Sequence, residues 1–352
     1  MKKIVNLIYL SAFFMFSQQA YYNDVNLNLT GIALKNELAT KIISTHTRNL
    51  SYNEAKQALK IIDLDPGQST NVLMLYGFSN GLCPNDSSND DKHRKRNKSF
   101  FDDGSAAPCL WNREHTYPKA LGTPNLGTSG PGSDVHHLRA ADKKRNGFRG
   151  NKLFTAGSGN SGTVASKWYP GDEWKGDVAR IMMYMYLRYG NQCLPTNVCV
   201  GSTVAIDDMV TLLLQWNAED PVSTYEENRN NYLELTSNQY GQGNRNPFID
   251  NPRLATRIWG GPDAEDIWGI FLAVDDLILE RNIKIYPNPA NDIVHIDVTN
   301  LTFKSVNLYS VLGKKVKTAT TNSLNIERLN SGIYFIEVET NKGKLTRKLV
   351  KI

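Results

Sequence analysis

The stretch LWNREHTYPKAL, residues 110–121, sets Arg113, Glu114 and His115 side by side between aromatic residues and a proline. A carboxylate is a hard oxygen ligand for a divalent cation, and an imidazole titrates near neutrality, so the pair supplies a metal ligand and a base. Successive side chains of a strand point to opposite faces. Glu114 and His115 can therefore share a site only at a strand end or a bulge, and Pro118, three residues on, fits a strand that stops there. Each residue taken singly has a plainer reading: Arg113 and Glu114 as a surface ion pair, His115 as a core histidine whose hydrogen bonds are met.

A Gly- and Pro-rich loop, GTPNLGTSGPGSD (122–134), leads from this stretch to VHHLRAADKKRNGFRGNKLF (135–154). A helix from Ala140 to about Arg149, broken by Gly150, would align Arg139, Asp142, Asn146 and Arg149 along one face turned into a cleft. Asn146 offers a neutral carbonyl oxygen to a metal, and Arg149 a forked donor to a phosphate. Between Asp134 and Lys152 stand Arg139, Lys143, Lys144, Arg145, Arg149 and Lys152 against Asp134 and Asp142 alone. Such a basic patch holds a nucleic acid by its phosphates without reading its sequence, although a polar helix face is commonly just solvated. His136 and His137 are neighbours, so at most one reaches a shared site and a structural hydrogen-bonding role is the alternative for either.

At 352 residues and 40% hydrophobic content the chain can bury two cores. MKKIVNLIYLSAFFMFSQQA (1–20) has a cationic tip and a short apolar run, the pattern of an export signal cut between Ser17 and Ala20. No other stretch is long and apolar enough to anchor the mature chain in a membrane. Export lets the four cysteines pair, with Cys193–Cys199 and Cys83–Cys109 expected; a four-cysteine zinc site is the alternative, but paired C-x2-C spacing is absent. The net charge of +5 identifies no partner, because residues 283–352 carry eleven Lys/Arg against five Asp/Glu and the middle of the chain is near neutral.

Periodicity predicts helices within 21–61, over GDVARIMMYMYLRYG (176–190), and over 207–217 and 221–235. The Met and Tyr stripe of the second of these segments reads as core. NVLMLYGF (71–78) reads as a buried strand, and 84–108 as a polar loop whose KHRKRNK (92–98) either guides a polyanion or is merely solvated. Beyond about residue 283, IVHIDV, VNLYSVLG, KKVKTAT, IYFIEVET and LTRKLVKI are short alternating strands. The expected fold class is α+β: a mainly helical domain followed by a small all-β module.

NREHTYPKALG (112–122) followed by DVHHLRAADKKRNGFRGN (134–151) resembles the bacterial endonuclease I family of secreted, sequence-nonspecific nucleases. Further likeness lies in YYNDVNLNLTGIALKNEL (21–38), KGDVARIMMYM (175–185) and QGNRNPFIDNP (242–252), so that it covers most of residues 21–262. The resemblance implies a ββα-metal (His-Me finger) core with His115 as general base and Glu114 and Asn146 as ligands of one Mg2+, Ca2+ and Mn2+ being the alternatives. It also implies cleavage of DNA and RNA to 5′-phosphate ends. The family braces the phosphate with an arginine that some members take from the loop between the two halves; that loop here has none, which leaves Arg149, Arg113 and Arg139 as candidates.

IYPNPANDIVHIDV (285–298), VNLYSVLGKKV (306–316) and NSGIYFIEVETNKGKLTRKLVKI (330–352) resemble the C-terminal sorting domain of type IX secretion substrates, a β-sandwich read by the export machinery. A carbohydrate-binding or adhesive sandwich is the alternative. The two resemblances imply a signal peptide at 1–20, a nuclease domain at 21–274, a linker at 275–282 and a sorting domain at 283–352. They also imply a monomer, secreted or held at the cell surface, with DNA and RNA as substrates and the type IX machinery as partner. Two competing functions are a non-catalytic surface adhesin that binds nucleic acid, and a hydrolase of other phosphodiesters, including a zinc enzyme using His136 or His137.

Overall fold

Ser51 begins a helix by a capping box: its side chain accepts from the Glu54 N–H while Glu54 accepts from the Ser51 N–H. In the computed structural model, which describes residues 20–79, 93–105, 109–271, 279, 282–311 and 313–352, this is α2 (Tyr52–Ile62), preceded by α1 (Gly31–Thr45). Leu34, Leu38 and Ile42 recur at four-residue steps and are the buried side of α1; Ala55, Ala58, Leu59 and Ile62 do the same for α2. The expected signal segment lies outside the described residues except for Ala20. The chain divides into two compact units, one over Gln18–Ile267 and one that holds Trp268–Ile352.

In the first unit, β1 (Leu64–Asp65), β2 (Gln68–Leu73) and β3 (Lys95–Asn97) form one antiparallel sheet. The strand expected at 71–78 ends at Leu73; residues 80–92 and 106–108 of the expected polar loop lie outside those described. A separate hairpin pairs β4 (Trp111–His115) with β5 (Leu138–Asp142), matching Trp111 to Asp142 and His115 to Leu138, and α3 (Lys143–Arg149) follows directly. Here the helix expected from Ala140 is corrected: residues 138–142 are strand. Their backbone is taken by pairing with 111–115, and the Asp142 carboxylate then caps the helix by accepting from the Lys144 and Arg145 N–H groups. Trp111, Leu138 and Ala140 of the hairpin pack with Leu59, Ile62, Val72 and Met74 in one buried cluster.

The remainder of this unit is a short hairpin, β6 (Gly162–Val164) with β7 (Lys167–Tyr169), and five helices: α4 (Lys175–Tyr189), α5 (Thr211–Glu219), α6 (Thr224–Glu234), α7 (Pro247–Asp250) and α8 (Arg253–Trp259). Every residue of α4 from Gly176 to Leu187 is buried, so its Met and Tyr stripe is core. Its two buried charges are both paired: Asp177 with Arg139, and Arg180 with Glu226. Gly190 ends the helix with φ of 54°.

The expected Cys193–Cys199 disulfide does not form. Both thiols are free and buried. A 3-10 turn over Pro195–Asn197 separates them, Cys199 sits at a β-bridge to Phe154 with its Sγ against the Val200 carbonyl, and Cys193 faces Tyr117. Cys83, half of the other expected pair, lies outside the described residues.

In the second unit, the described residues from Ile283 onward are strands and turns. β8 (Ile283–Tyr286), β9 (Ile293–Val298) and β12 (Ser323–Asn325) make a sheet in the order β12-β9-β8, and β10 (Phe303–Ser310), β11 (Lys315–Ala319), β13 (Gly332–Thr340) and β14 (Gly343–Lys351) one in the order β11-β10-β13-β14. Val294, Ile296 and Leu324 of the first meet Val306, Leu308, Ile336, Val338, Leu345 and Leu349 of the second in a single buried cluster, as in a sandwich. Lys314, Lys315, Lys317, Lys342, Lys344 and Lys348 stay exposed.

Candidate active site

The end of β4 and the α3 helix wall a cleft of about 430 Å³, lined by Arg113, Glu114, His115, Pro118, Lys119, Ala120, Asn125, Asn146, Gly147, Arg149, Gly150 and Asn151. His115 is the last residue of β4, the strand end that lets two sequence neighbours face one cavity.

Glu114 is buried. Its Oε1 accepts from the Tyr76 hydroxyl at 2.9 Å and lies 3.5 Å from Arg149 Nε, whereas Oε2 takes no hydrogen bond among the described residues. Burial pushes its pKa up to about 7, with Arg149 and Tyr76 opposing. Tyr76 itself is fully buried with φ of 73°, a left-handed conformation that a bulky residue adopts only under constraint from its surroundings.

His115 Nε2 lies 3.1 Å from the Gly132 carbonyl. A carbonyl only accepts, so Nε2 carries the proton and Nδ1 keeps its lone pair. The ring stacks on Tyr52 at 5.9 Å and lies 5.6 Å from His137. Burial first, then His137, Arg113 and Lys119, hold its pKa down at about 2 in the free protein. Across the cleft, Asn146 Nδ2 donates to Asn112 Oδ1 at 2.8 Å and to the Arg113 carbonyl at 3.4 Å. That fixes the amide with Oδ1 unbonded. Glu114 Oε2 and Asn146 Oδ1 are thus two oxygens of cleft-lining residues without hydrogen-bond partners among the described residues, a donor set whose chemistry fits a hard divalent cation.

The three arginines expected at a phosphate fare differently. Arg149 is 1% exposed; it donates to the Gly150 and Thr116 carbonyls at 2.9 and 3.0 Å and leans on Glu114, so it orients the carboxylate from within. Arg139 lies on β5, not on the helix, and is buried against Asp177 and Tyr225 away from the cleft lining. Arg113 lies flat on Tyr52, its guanidinium carbon 3.4 Å from the ring centroid, with Nη1 donating to the Tyr52 carbonyl. His136 and His137 are spent on the Asn244 and Pro131 carbonyls, and burial lowers both to about 4.

Asn112, Tyr76, Tyr52 and Lys119 are the site residues the sequence reading passed over. Asn112 had a signal, since it lies two residues before Glu114 and so on the same strand face. Lys119 sits four residues past His115, on the 3-10 turn Lys119–Leu121. Tyr52 and Tyr76 come from 61 and 38 residues away from the arginine and carboxylate they touch, where no local pattern announces them.

The family described as Endonuclease I matches residues 30–253, and that described as Secretion system C-terminal sorting domain matches residues 284–352. An extracellular ribonuclease of Bacillus amyloliquefaciens is 38% identical over 253 residues, which cover 68% of this chain and 78% of that protein. An extracellular ribonuclease of Bacillus subtilis (strain 168) is 40% identical over 242 residues, 65% of this chain and 75% of that protein. With a sorting module at its C-terminus and extracellular relatives, the enzyme is secreted or held at the cell surface. The chain is a nuclease and belongs to the endonuclease I family.

Proposed function

We propose that this secreted nuclease hydrolyses DNA and RNA through one hard divalent cation, Mg2+ in preference to Ca2+ or Mn2+, with His115 as general base and the β4-β5-α3 segment as a ββα-metal core. The observation that carries the reading is that Glu114, Asn146 and His115 line one cleft while Oε2, Oδ1 and Nδ1 of these residues have no hydrogen bond among the described residues. Glu114 and Asn146 would hold the cation. When bound, it supplies Lewis-acid stabilisation of the charge that builds on the phosphate and the leaving oxygen.

His115 Nδ1 takes a proton from the water that attacks phosphorus, while Nε2–H stays on the Gly132 carbonyl and keeps the ring aimed. The P–O3′ bond breaks, leaving a 5′-phosphate on one fragment and a 3′ oxygen that is protonated from solvent. Since water and not the ribose 2′-hydroxyl is the nucleophile, both nucleic acids are substrates. The low basicity of His115 in the free protein arises from burial and from neighbouring positive charge. An arriving phosphate reverses that local field and makes the imidazole a stronger base when it is needed.

Plasmid and RNA digestion with and without chelator tests the reading. The protein should cut both with Mg2+ and stop on chelation, and His115→Ala should fold and bind DNA normally but cut about 1,000-fold more slowly. Wild-type cutting by His115→Ala, or cutting indifferent to chelation, removes it.

A further inference from the structure

We propose that Lys119 is the residue that grips the scissile phosphate, a role that rests on the nuclease reading above. Three cationic side chains line the cleft: Arg113, Lys119 and Arg149. Arg149 has its Nη atoms on backbone carbonyls and its Nε toward Glu114, so a phosphate could take it only by dismantling the carboxylate's support. Arg113 is pressed on the Tyr52 ring with Nη1 engaged, and its Nε is buried without a partner. Lys119 is different. Among the described residues its ammonium makes one long hydrogen bond, 3.3 Å to the Tyr52 hydroxyl, and has no carboxylate within ion-pairing distance. An ammonium has three donors, so two remain for an anion.

Position agrees with charge. The Lys119 carbonyl accepts from the Gly122 and Leu126 N–H groups, which pins the backbone from which the side chain springs. Tyr52 lies against all three groups at this wall, stacking on His115, carrying Arg113 on its face and holding the Lys119 ammonium 5.1 Å from its ring centroid. Lys119, His115, Glu114 and Asn146 all line this one cleft, so a phosphate held by Lys119 lies in the same cavity as the base and the two oxygens. Lysine binds phosphate as a compact point charge, and one preorganised donor at a developing charge is worth roughly 100-fold in rate.

The test is steady-state cleavage of a short fluorescent oligonucleotide by the full-length protein with Mg2+, over a range of salt. Lys119→Met keeps the aliphatic stem. It should lower kcat about 100-fold, leave Mg2+ affinity unchanged by titration calorimetry, and reduce the slope of log(kcat/KM) against log salt by about one, as for the loss of one phosphate contact. Lys119→Arg should restore most of the rate and the slope, which a purely packing role would not explain. Lys119→Ala serves in place of Lys119→Met if the latter misfolds. The proposal is overturned if these variants keep wild-type rate and slope while His115→Ala is inactive, or if both losses follow Arg113→Gln instead. A wild-type protein that cuts nothing with any divalent cation defeats the nuclease mechanism itself, a different failure.

Discussion

The cation-holding role proposed for Glu114 requires the carboxylate, yet burial raises its pKa to about 7. Below that value a proton competes with the metal, so apparent Mg2+ affinity should fall about tenfold per pH unit and binding should release a proton. Above it, affinity should level off. Calorimetry in buffers of different ionisation heat measures both; an affinity flat from pH 5 to 8 contradicts the role of Glu114. His115, held at about 2 in the free protein, stays neutral throughout this range and contributes no acid limb there. Asn146 depends on Asn112, which fixes its amide and leaves its carbonyl oxygen without a hydrogen bond among the described residues, as the proposed ligand role needs. Asn112→Ala should weaken Mg2+ binding by about 10- to 100-fold while leaving the thermal midpoint nearly unchanged, the usual effect of losing a partner that orients a ligand.

At the scale of elements, α3 depends on Asp142. Its carboxylate caps the helix and also pairs with buried Arg96 at 2.9 Å. Asp142→Ala removes the cap and takes the carboxylate away from the buried Arg96 guanidinium, and should cost about 3 kcal/mol in urea unfolding. Asp142→Asn keeps a capping oxygen and should cost less. The same residue marks where the sequence misled. Ala140 and Ala141 are good helix formers, and the helical steps from Arg139 to Arg149 are present in the sequence, so propensity favours an earlier start. Pairing with β4 overrides it, and Arg139 leaves the cleft as a result. That Glu114, His115 and Asn146 line one cleft was legible because strand alternation, a terminal proline and the Asn146 spacing are local facts. The structural role of Arg149 was not: an arginine written next to a cleft reads as a phosphate ligand until its carbonyl partners are seen. The Cys193–Cys199 pairing failed for a like reason, since short separation along the chain says nothing of the 3-10 turn between.

Across the whole molecule, the two units close separate cores, one of helices and short sheets and one of two stacked sheets. Calorimetry of the full chain should therefore resolve two melting transitions. A chain ending at Ile267 should keep one of them and cleave oligonucleotides at the full-length rate; loss of the first transition on truncation would show that the nuclease unit cannot stand alone. The exposed lysines that stud the sandwich have a further effect. Most of the chain's surplus positive charge is carried on that module, so a cut that sheds it turns a cation-exchange binder into a protein that flows through the same resin. Severed from its basic ballast, the enzyme loses its general stickiness for polyanions and disperses, and a simple isoelectric gel would tell the tethered form from the roaming one.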